Sequence, residues 1–141
     1  GAPNDYEREF GAAIARAAGV PVKNLIGADT LPQLLALLAR ATALLTPDSG
    51  PAHMATMAGT PVIGVGATTR SARSGPYLSR QWCVDRYAEA ALKYRGRPAN
   101  ELPWTATIED AGAMDLVDTA AVCARLDALL AATGAAQALL R

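Results

Sequence analysis

Aromatic residues, cysteine and histidine are scarce in this chain of 141 residues, which has one Phe, two Trp, four Tyr, two Cys and one His. Because His53 is the sole histidine, no second one is available for a zinc site of the usual kind. The two cysteines, Cys83 and Cys123, form no disulfide framework, so we expect them to fill the core in a reducing compartment. Metal binding and disulfide stabilisation are therefore not expected.

Excess charge and long apolar runs are also absent. Thirteen basic residues balance thirteen acidic ones, so no global attraction to nucleic acid or to an anionic membrane is expected. No apolar run reaches the roughly 18 residues that a membrane span needs. The length allows one domain with its own core. Since the sequence begins Gly1-Ala-Pro-Asn4 rather than with Met, we expect a fragment or a processed chain.

Four helices are predicted from their caps and from apolar residues at helical spacing. Thr30 and Gln33 have the spacing of a capping box, and Leu34, Leu35 and Leu38 form the buried stripe of that helix. For two of these four helices, a glycine just past the last helical residue marks the end. The predicted starts are Asn4–Asp5, Thr30, Pro51 and Asp118, with Gly19 past the end of the first helix and Gly59 past the end of the third.

Short apolar runs alternate with these helices. Runs of this kind, apolar throughout, are typical of parallel strands covered on both faces. The sequence therefore predicts an α/β fold, a Rossmann-like parallel sheet with helices on both faces. The predicted strands are Val22–Ile26, Ala43–Thr46, Val62–Val65 and a weaker one at Gln81–Val84.

A strand end, a glycine turn and a helix start follow one another within residues 45–54. Free backbone N–H groups and the positive end of the helix dipole meet there, so the turn can hold an anion such as phosphate. Asp48, Ser49 and His53 add side chains to the same place. The alternatives are that Asp48 only caps the helix and ties down the turn, and that His53 is a buried structural histidine. No Gly-x-Ser-x-Gly elbow surrounds Ser49, which argues against a hydrolase nucleophile.

Basic residues and aromatics share the segment after the third strand. Arg70 and Arg73 follow the turn at Gly66 closely, and they are expected either to meet phosphates or to belong to a solvated basic face. Trp82 and Trp104 are expected to be packing anchors rather than sugar platforms.

The stretches Asp48–Ala55, Gly59–Ile63 and Arg73–Tyr77, in that order, resemble the C-terminal half of glycosyltransferase family 9. This family comprises the lipopolysaccharide heptosyltransferases, which have the two-domain GT-B fold. The resemblance covers nearly the whole chain, since it extends to Gly1–Asp5, Leu25–Gln33 and Ala113–Val117.

The resemblance implies that residues 1–141 are a single, partial nucleotide-sugar-binding domain, the C-terminal domain of a GT-B enzyme without its first strands. The N-terminal domain, which holds the catalytic base in this family, is missing, so no catalytic residue is expected here and the isolated chain is predicted to be inactive. The missing strands would come from another chain or from a longer polypeptide.

The resemblance also implies roles for individual residues. Asp5, Ala28 and Asp29 would contact the ribose and adenine of the donor, although Asp5 is equally consistent with a plain helix cap. The donor phosphates would be bound by Thr46, Asp48, Ser49, Gly50, Pro51 and His53.

The function implied is binding of a nucleotide-sugar donor, ADP-heptose, for metal-independent inverting transfer to a lipid-linked acceptor of the lipopolysaccharide core. No metal or cofactor and no nucleic acid would take part. The location would be cytoplasmic, peripheral at the inner face of the bacterial inner membrane. Two alternatives stay open, namely a related GT-B-like sugar-nucleotide enzyme such as an epimerase, and a non-catalytic nucleotide-binding or assembly module.

Overall fold

The computed structural model describes residues 4–134 and divides the chain into two compact units, residues 1–37 and 38–141. Within the described part, no helix has both the length and the apolar character needed to cross a membrane.

The first unit contains helix α1, Asp5–Ala17, and the start of helix α2, Leu31–Arg40. The Asn4 side chain accepts a hydrogen bond from the Glu7 backbone N–H at 2.7 Å, so Asn4 and not Asp5 is the cap of α1. The helix ends before Gly19, whose φ of 64° lies in the left-handed region, as its position past the helix predicts. The prediction of this helix is confirmed.

Helix α2 starts with the predicted capping pair. The Gln33 side-chain oxygen accepts from the Thr30 backbone N–H at 2.8 Å and from the Thr30 hydroxyl at 3.0 Å. The hydroxyl therefore donates to the glutamine, whereas in a full capping box it would accept from the backbone. The predicted stripe is partly wrong, since Leu38 is buried but Leu35 is 41% exposed.

The predicted strand Val22–Ile26 is wrong, because these residues form a loop that ends in a turn. The Asn24 side chain accepts a hydrogen bond from the Ile26 backbone N–H at 3.0 Å, and the Ala28 N–H donates to the Leu25 carbonyl. Local bonds of this kind engage backbone groups that a strand would use for its ladder. An apolar run alone does not establish a strand partner.

The second unit contains a parallel sheet of three strands in the order β1-β2-β3. The prediction of a parallel sheet is confirmed. Its strands are β1, Leu44–Pro47, β2, Val62–Gly66, and β3, Val84–Asp85. Leu44 pairs with Val62, and Val65 pairs with Val84. The weaker predicted strand at Gln81–Val84 starts too early, because Tyr77–Trp82 forms a 3-10 helix.

Helices flank this sheet. Helix α3, Gly50–Met57, has Ser49 at its N-cap position, so Pro51 is its second residue and not its first. Ala52 and Ala55 are buried, and such small side chains allow the helix to approach β1 and β2 closely. The remaining helices are the short α4, Ser71–Ser74, then α5, Tyr87–Arg95, and α6, Thr119–Thr133, with 3-10 helices at Ala99–Glu101 and Met114–Leu116.

Helix α6 is confirmed, with the Asp118 side chain accepting a hydrogen bond from the Ala120 backbone N–H at 3.2 Å. Its Leu129 is fully buried. Cys123 on the same helix is exposed, so the expectation that it fills the core is wrong. Val62 and Ile63 of β2 are also fully buried. A core cluster around α5 contains Ala67, Tyr87, Ala90, Ala91, Ile108 and Ala113.

We predict that Ser79→Ala lowers the free energy of unfolding by about 1–3 kcal/mol, since the buried Ser79 hydroxyl accepts the Val62 backbone N–H at 3.0 Å and its removal leaves that donor unpaired. Chemical denaturation measures the loss. Ser74→Ala is the matched control, because its hydroxyl makes only a long bond of 3.4 Å to the Arg70 carbonyl. Equal losses in both variants would contradict the prediction.

Candidate functional site

Three loops leave the sheet at one edge, because the carboxyl ends of parallel strands lie together. The loop after β1 leads into α3, the loop after β2 into α4, and the turn after β3 into α5. In open parallel sheets this edge is where ligands bind. Every predicted site residue of the second unit lies in one of these loops or beside it.

Two hydroxyl groups contact each other in the turn between β1 and α3. Thr46 is buried, and its hydroxyl lies 2.9 Å from that of Ser49. Ser49 stands at the N-cap of α3, yet its side chain makes no capping bond. The side chain that would normally satisfy the helix start is thus held by the strand instead.

The space in front of this helix start is open. Gly50 is exposed, and a Cβ added to it would have no group within 4 Å apart from its chain neighbours and its own helix backbone. Pro51 has no N–H, so the donors at this end come from the residues around it. A helix start with an open approach and an unused cap can accept an anion.

Asp48 connects two of the three loops. Its carboxylate accepts a hydrogen bond from the Thr69 hydroxyl at 2.7 Å, which ties the turn after β1 to the loop after β2. Since Ser49 holds the N-cap position, the alternative that Asp48 caps the helix is wrong. The alternative that it ties down the turn agrees with this bond.

His53 lies one turn into α3 and is exposed. The alternative that it is a buried structural histidine is therefore wrong. The structure brings Thr46, Asp48, Ser49, Gly50 and Pro51 together in one turn, with His53 on the helix that follows.

Arg70 is engaged by the protein itself. One guanidinium nitrogen, Nη2, donates to the carbonyls of Ala99 and Leu102, the latter at 3.0 Å. The guanidinium carbon also lies 4.6 Å from the centre of the Tyr87 ring and 5.6 Å from that of the Trp104 ring. Its Nε is buried, with no hydrogen-bond partner among the described residues. Arg70 therefore anchors residues 99–105, which we call the strap.

Arg73 is exposed and much less committed. Its Nη1 donates to the Thr105 carbonyl at 3.3 Å, and this is its one hydrogen bond to the described part of the chain. A guanidinium carries five N–H donors, so most of those of Arg73 face no protein acceptor. The two arginines that the sequence placed together thus differ in availability.

Asp85, at the end of β3, is a residue that the sequence reasoning missed. Its two carboxylate oxygens accept the backbone N–H groups of Ser71 and Tyr87, both at 2.8 Å. These are the first residues of α4 and α5. An Asp directly after an apolar run and just before a helix is a capping signal, and that signal was available in the sequence.

A crevice opens between these loops. Cys83 lies on its wall and is half-buried, and burial raises the pKa of its thiol above the ordinary value. Since the thiolate is the reactive form, this cysteine is a poor nucleophile near neutral pH. The other lining residues include Pro47, Asp48, Gly66, Thr69, Ser71 and Asp85.

Three predicted site residues lie in the first unit. Asp5 is exposed in the first turn of α1, Ala28 is exposed in the turn before α2, and Asp29 beside it is half-buried. The alternative that Asp5 caps the helix is wrong, because Asn4 does so. Their contact with a ligand stays a prediction.

Groups of three or more His, Cys, Asp or Glu side chains that could hold a metal ion do not occur between residues 4 and 134. The carboxylates of the site, Asp48 and Asp85, are each occupied by hydrogen bonds from the protein.

Comparison with known proteins adds two findings. The model of glycosyltransferase family 9 (heptosyltransferase) matches residues 1–105. The lipopolysaccharide core heptosyltransferase OpsX of Haemophilus influenzae is 39% identical over 106 residues, which are 75% of this chain and 30% of that protein. The chain thus spans less than a third of the length of this relative. No solved structure matches.

We predict that Asp85→Ala lowers the free energy of unfolding by about 1–3 kcal/mol, because two helix starts lose their acceptor. Amide hydrogen exchange should accelerate at Ser71 and Tyr87, the two donors. Asp85→Asn is the control, since its amide keeps one carbonyl acceptor and should protect one of the two amides. Unchanged exchange at both positions in Asp85→Ala would show that the carboxylate does not hold these helices.

Proposed function

We propose, from the premise that the chain belongs to glycosyltransferase family 9, that it forms the donor-binding part of a heptosyltransferase of lipopolysaccharide core synthesis. The observation that carries this proposal is the open, uncapped start of α3 at residues 49–51, at the ligand-binding edge of a parallel sheet. The match covers 30% of the relative, so the heptosyltransferase activity of the whole protein is also part of what we propose.

The diphosphate of an ADP-sugar would lie against the turn Ser49–Pro51. Backbone N–H groups and the dipole of α3 favour negative charge there, and the Thr46 and Ser49 hydroxyls, which lie 2.9 Å apart, can add a hydrogen bond. Asp48 would shape the pocket, with its carboxylate held by Thr69. His53 would touch the donor or orient the loop.

In the proposed reaction an acceptor hydroxyl attacks the anomeric carbon of the donor heptose, and the bond from that carbon to the nucleoside diphosphate breaks with inversion. Negative charge grows on the leaving phosphate, so donors that are already aimed there stabilise the transition state more than the ground state. We assign this role to the α3 turn, without a metal. The base that takes the acceptor proton would belong to a domain outside this chain, so the isolated chain would bind without turnover.

Asp5, Ala28 and Asp29 would contact the ribose and adenine of the donor. The carboxylates suit hydroxyl groups, which donate to them. Their support is the family resemblance, together with the exposure of Asp5 and Ala28. A cytoplasmic protein at the inner face of the inner membrane would meet both the soluble donor and a lipid-linked acceptor.

The domain would be the C-terminal half of a GT-B enzyme whose sheet is completed by strands from the rest of the polypeptide or from a partner chain. Among the described strands, β1 pairs only with β2, and its Leu45 is 57% exposed. A free edge with an exposed leucine invites pairing with another strand.

If β1 is such an edge, the isolated chain should self-associate in native mass spectrometry. Leu45→Lys should reduce this association, because a lysine on an edge strand opposes strand addition. Leu78→Lys is the matched control, since Leu78 is similarly exposed at 66% but lies in the 3-10 helix. A compact monomer of the unmodified chain would contradict the proposed edge.

We expect calorimetric titration of the protein with ADP to show saturable binding that exceeds binding of UDP and GDP. Gly50→Asp should abolish it, because the new carboxylate would occupy the space of the diphosphate and repel it. Gly50→Ala is the control, since a methyl group meets no neighbour there and brings no charge. Absence of ADP binding in a protein that melts cooperatively would favour a non-catalytic module.

A further inference from the structure

Trp104 is held in place and yet exposed. The residue is 58% exposed, although a tryptophan normally buries most of its surface. The expectation that Trp104 is a packing anchor therefore does not describe its environment. Arg70 is its one cation–π partner in the described structure.

The backbone on both sides of Trp104 is tied to the loop after β2. Arg70 donates to the carbonyls of Leu102 and Pro103, the latter at 3.3 Å, and Arg73 donates to that of Thr105. Arg70 lies in the loop after β2 and Arg73 lies in α4, so the backbone around Trp104 is held on the side of the sheet where β2 ends. This region is also linked to the turn between β1 and α3, because the hydroxyl of Thr69, next to Arg70, donates to Asp48.

A fixed aromatic ring in contact with water suits a ligand that is apolar on one face and polar around its rim. The C–H face of a pyranose ring packs on an indole, and its hydroxyls remain available for hydrogen bonds. Arg73 bonds to the carbonyl of Thr105, the residue after Trp104, through Nη1, and its other N–H groups have no acceptor among the described residues. Trp104 and Arg73 together thus have the chemistry of a saccharide subsite.

We propose that Trp104 is a stacking platform for a pyranose ring of the saccharide substrates, with Arg73 binding the ring substituents and Arg70 positioning the indole. This inference rests on the proposed function, since a glycosyltransferase presents sugar rings on both the donor and the acceptor. The C-terminal edge of the sheet would then bind phosphate at the α3 turn and sugar at the strap.

Nuclear magnetic resonance of the indole N–H groups in the full-length protein tests this proposal. Trp104→Phe and Trp82→Phe assign the signals of these two tryptophans, and Trp82 is an internal control because it lies beside Thr60 and Pro61, at the amino end of β2. One arm compares ADP-heptose with ADP, and the other adds a core oligosaccharide acceptor. We expect the Trp104 signal to shift with a sugar-bearing ligand beyond any shift that ADP causes, while Trp82 stays unchanged.

The two arms separate the sources of the sugar ring. A shift with ADP-heptose alone assigns the donor sugar, and a shift with the oligosaccharide assigns the acceptor. A Trp104 signal that moves fully with ADP, or that is silent in both arms while ADP saturates the protein, would overturn the proposal. A shift with the oligosaccharide in a protein that binds no ADP would support the platform and contradict the proposed donor site.

Affinity measurements give a second readout. Trp104→Ala should weaken binding of the sugar-bearing ligand about three- to tenfold, the range expected for loss of one stacking contact, and should leave the Kd for ADP unchanged. Trp104→Phe should retain part of the affinity. Tyr77→Ala is the matched control, because Tyr77 is 72% exposed and stacks with Arg80 at 5.0 Å but lies outside the strap. Equal losses for Tyr77→Ala and Trp104→Ala would overturn the proposal.

Discussion

Parallel pairing of β1, β2 and β3 is the constraint on which the site depends. It brings three loops from distant parts of the sequence to one edge of the sheet, as the register of Leu44 with Val62 and of Val65 with Val84 requires. Side chains at the strand ends then connect these loops, Asp48 to Thr69 and Asp85 to the starts of α4 and α5. If the register of β2 slipped by one residue, every side chain on it would change face, and these links would be lost together.

Arg70 connects the sheet to the strap, residues 99–105, which lies outside the sheet. A guanidinium among carbonyls and aromatic rings retains hydrogen bonds and a favourable electrostatic environment without a carboxylate partner. The arrangement gives the strap a rigid support, and the buried Nε shows that the side chain has given up water for it. Arg73, three residues later, lies at the surface, and most of its donors have no acceptor between residues 4 and 134. Proximity in sequence therefore says little about which arginine can serve a ligand.

Local signals in the sequence were sufficient for α1, α2, α3 and α6 and for the turn before α3, whereas α4 and α5 were not predicted. Caps such as Asn4 and Asp118 act within three residues of their own position, so the pattern contains the whole interaction. The strand predicted at Val22–Ile26 failed because a strand needs a partner, and no local pattern specifies one. The Asp48–Thr69 bond spans 21 residues, and Arg70 reaches carbonyls about thirty residues away. Such contacts depend on the assembled sheet, which is why the anchoring role of Arg70 was not predicted.

Asp85 shows that one further part of the site could have been predicted from the sequence. Its type and position, an Asp after an apolar run and just before a helix, made it a candidate cap. In the structure the two carboxylates have different roles. Asp85 accepts hydrogen bonds from the starts of two helices, whereas Asp48 joins the loops after β1 and β2.

The turn before α3 is open, but hydrogen bonds hold the residues around it in place, and this lowers the entropy cost of binding a ligand there. A ligand loses translational and rotational freedom on binding, and it also has to order any mobile groups that it contacts. Here the hydroxyls of Thr46 and Ser49 already contact each other, and the strap is already tied to Arg70 and Arg73. If the donor and its sugar bind as proposed, little side-chain ordering would be left to oppose binding, and weak individual contacts at the turn before α3 and at Trp104 would each contribute to affinity. Loosening these hydrogen bonds would therefore weaken binding without removing any group that touches the ligand.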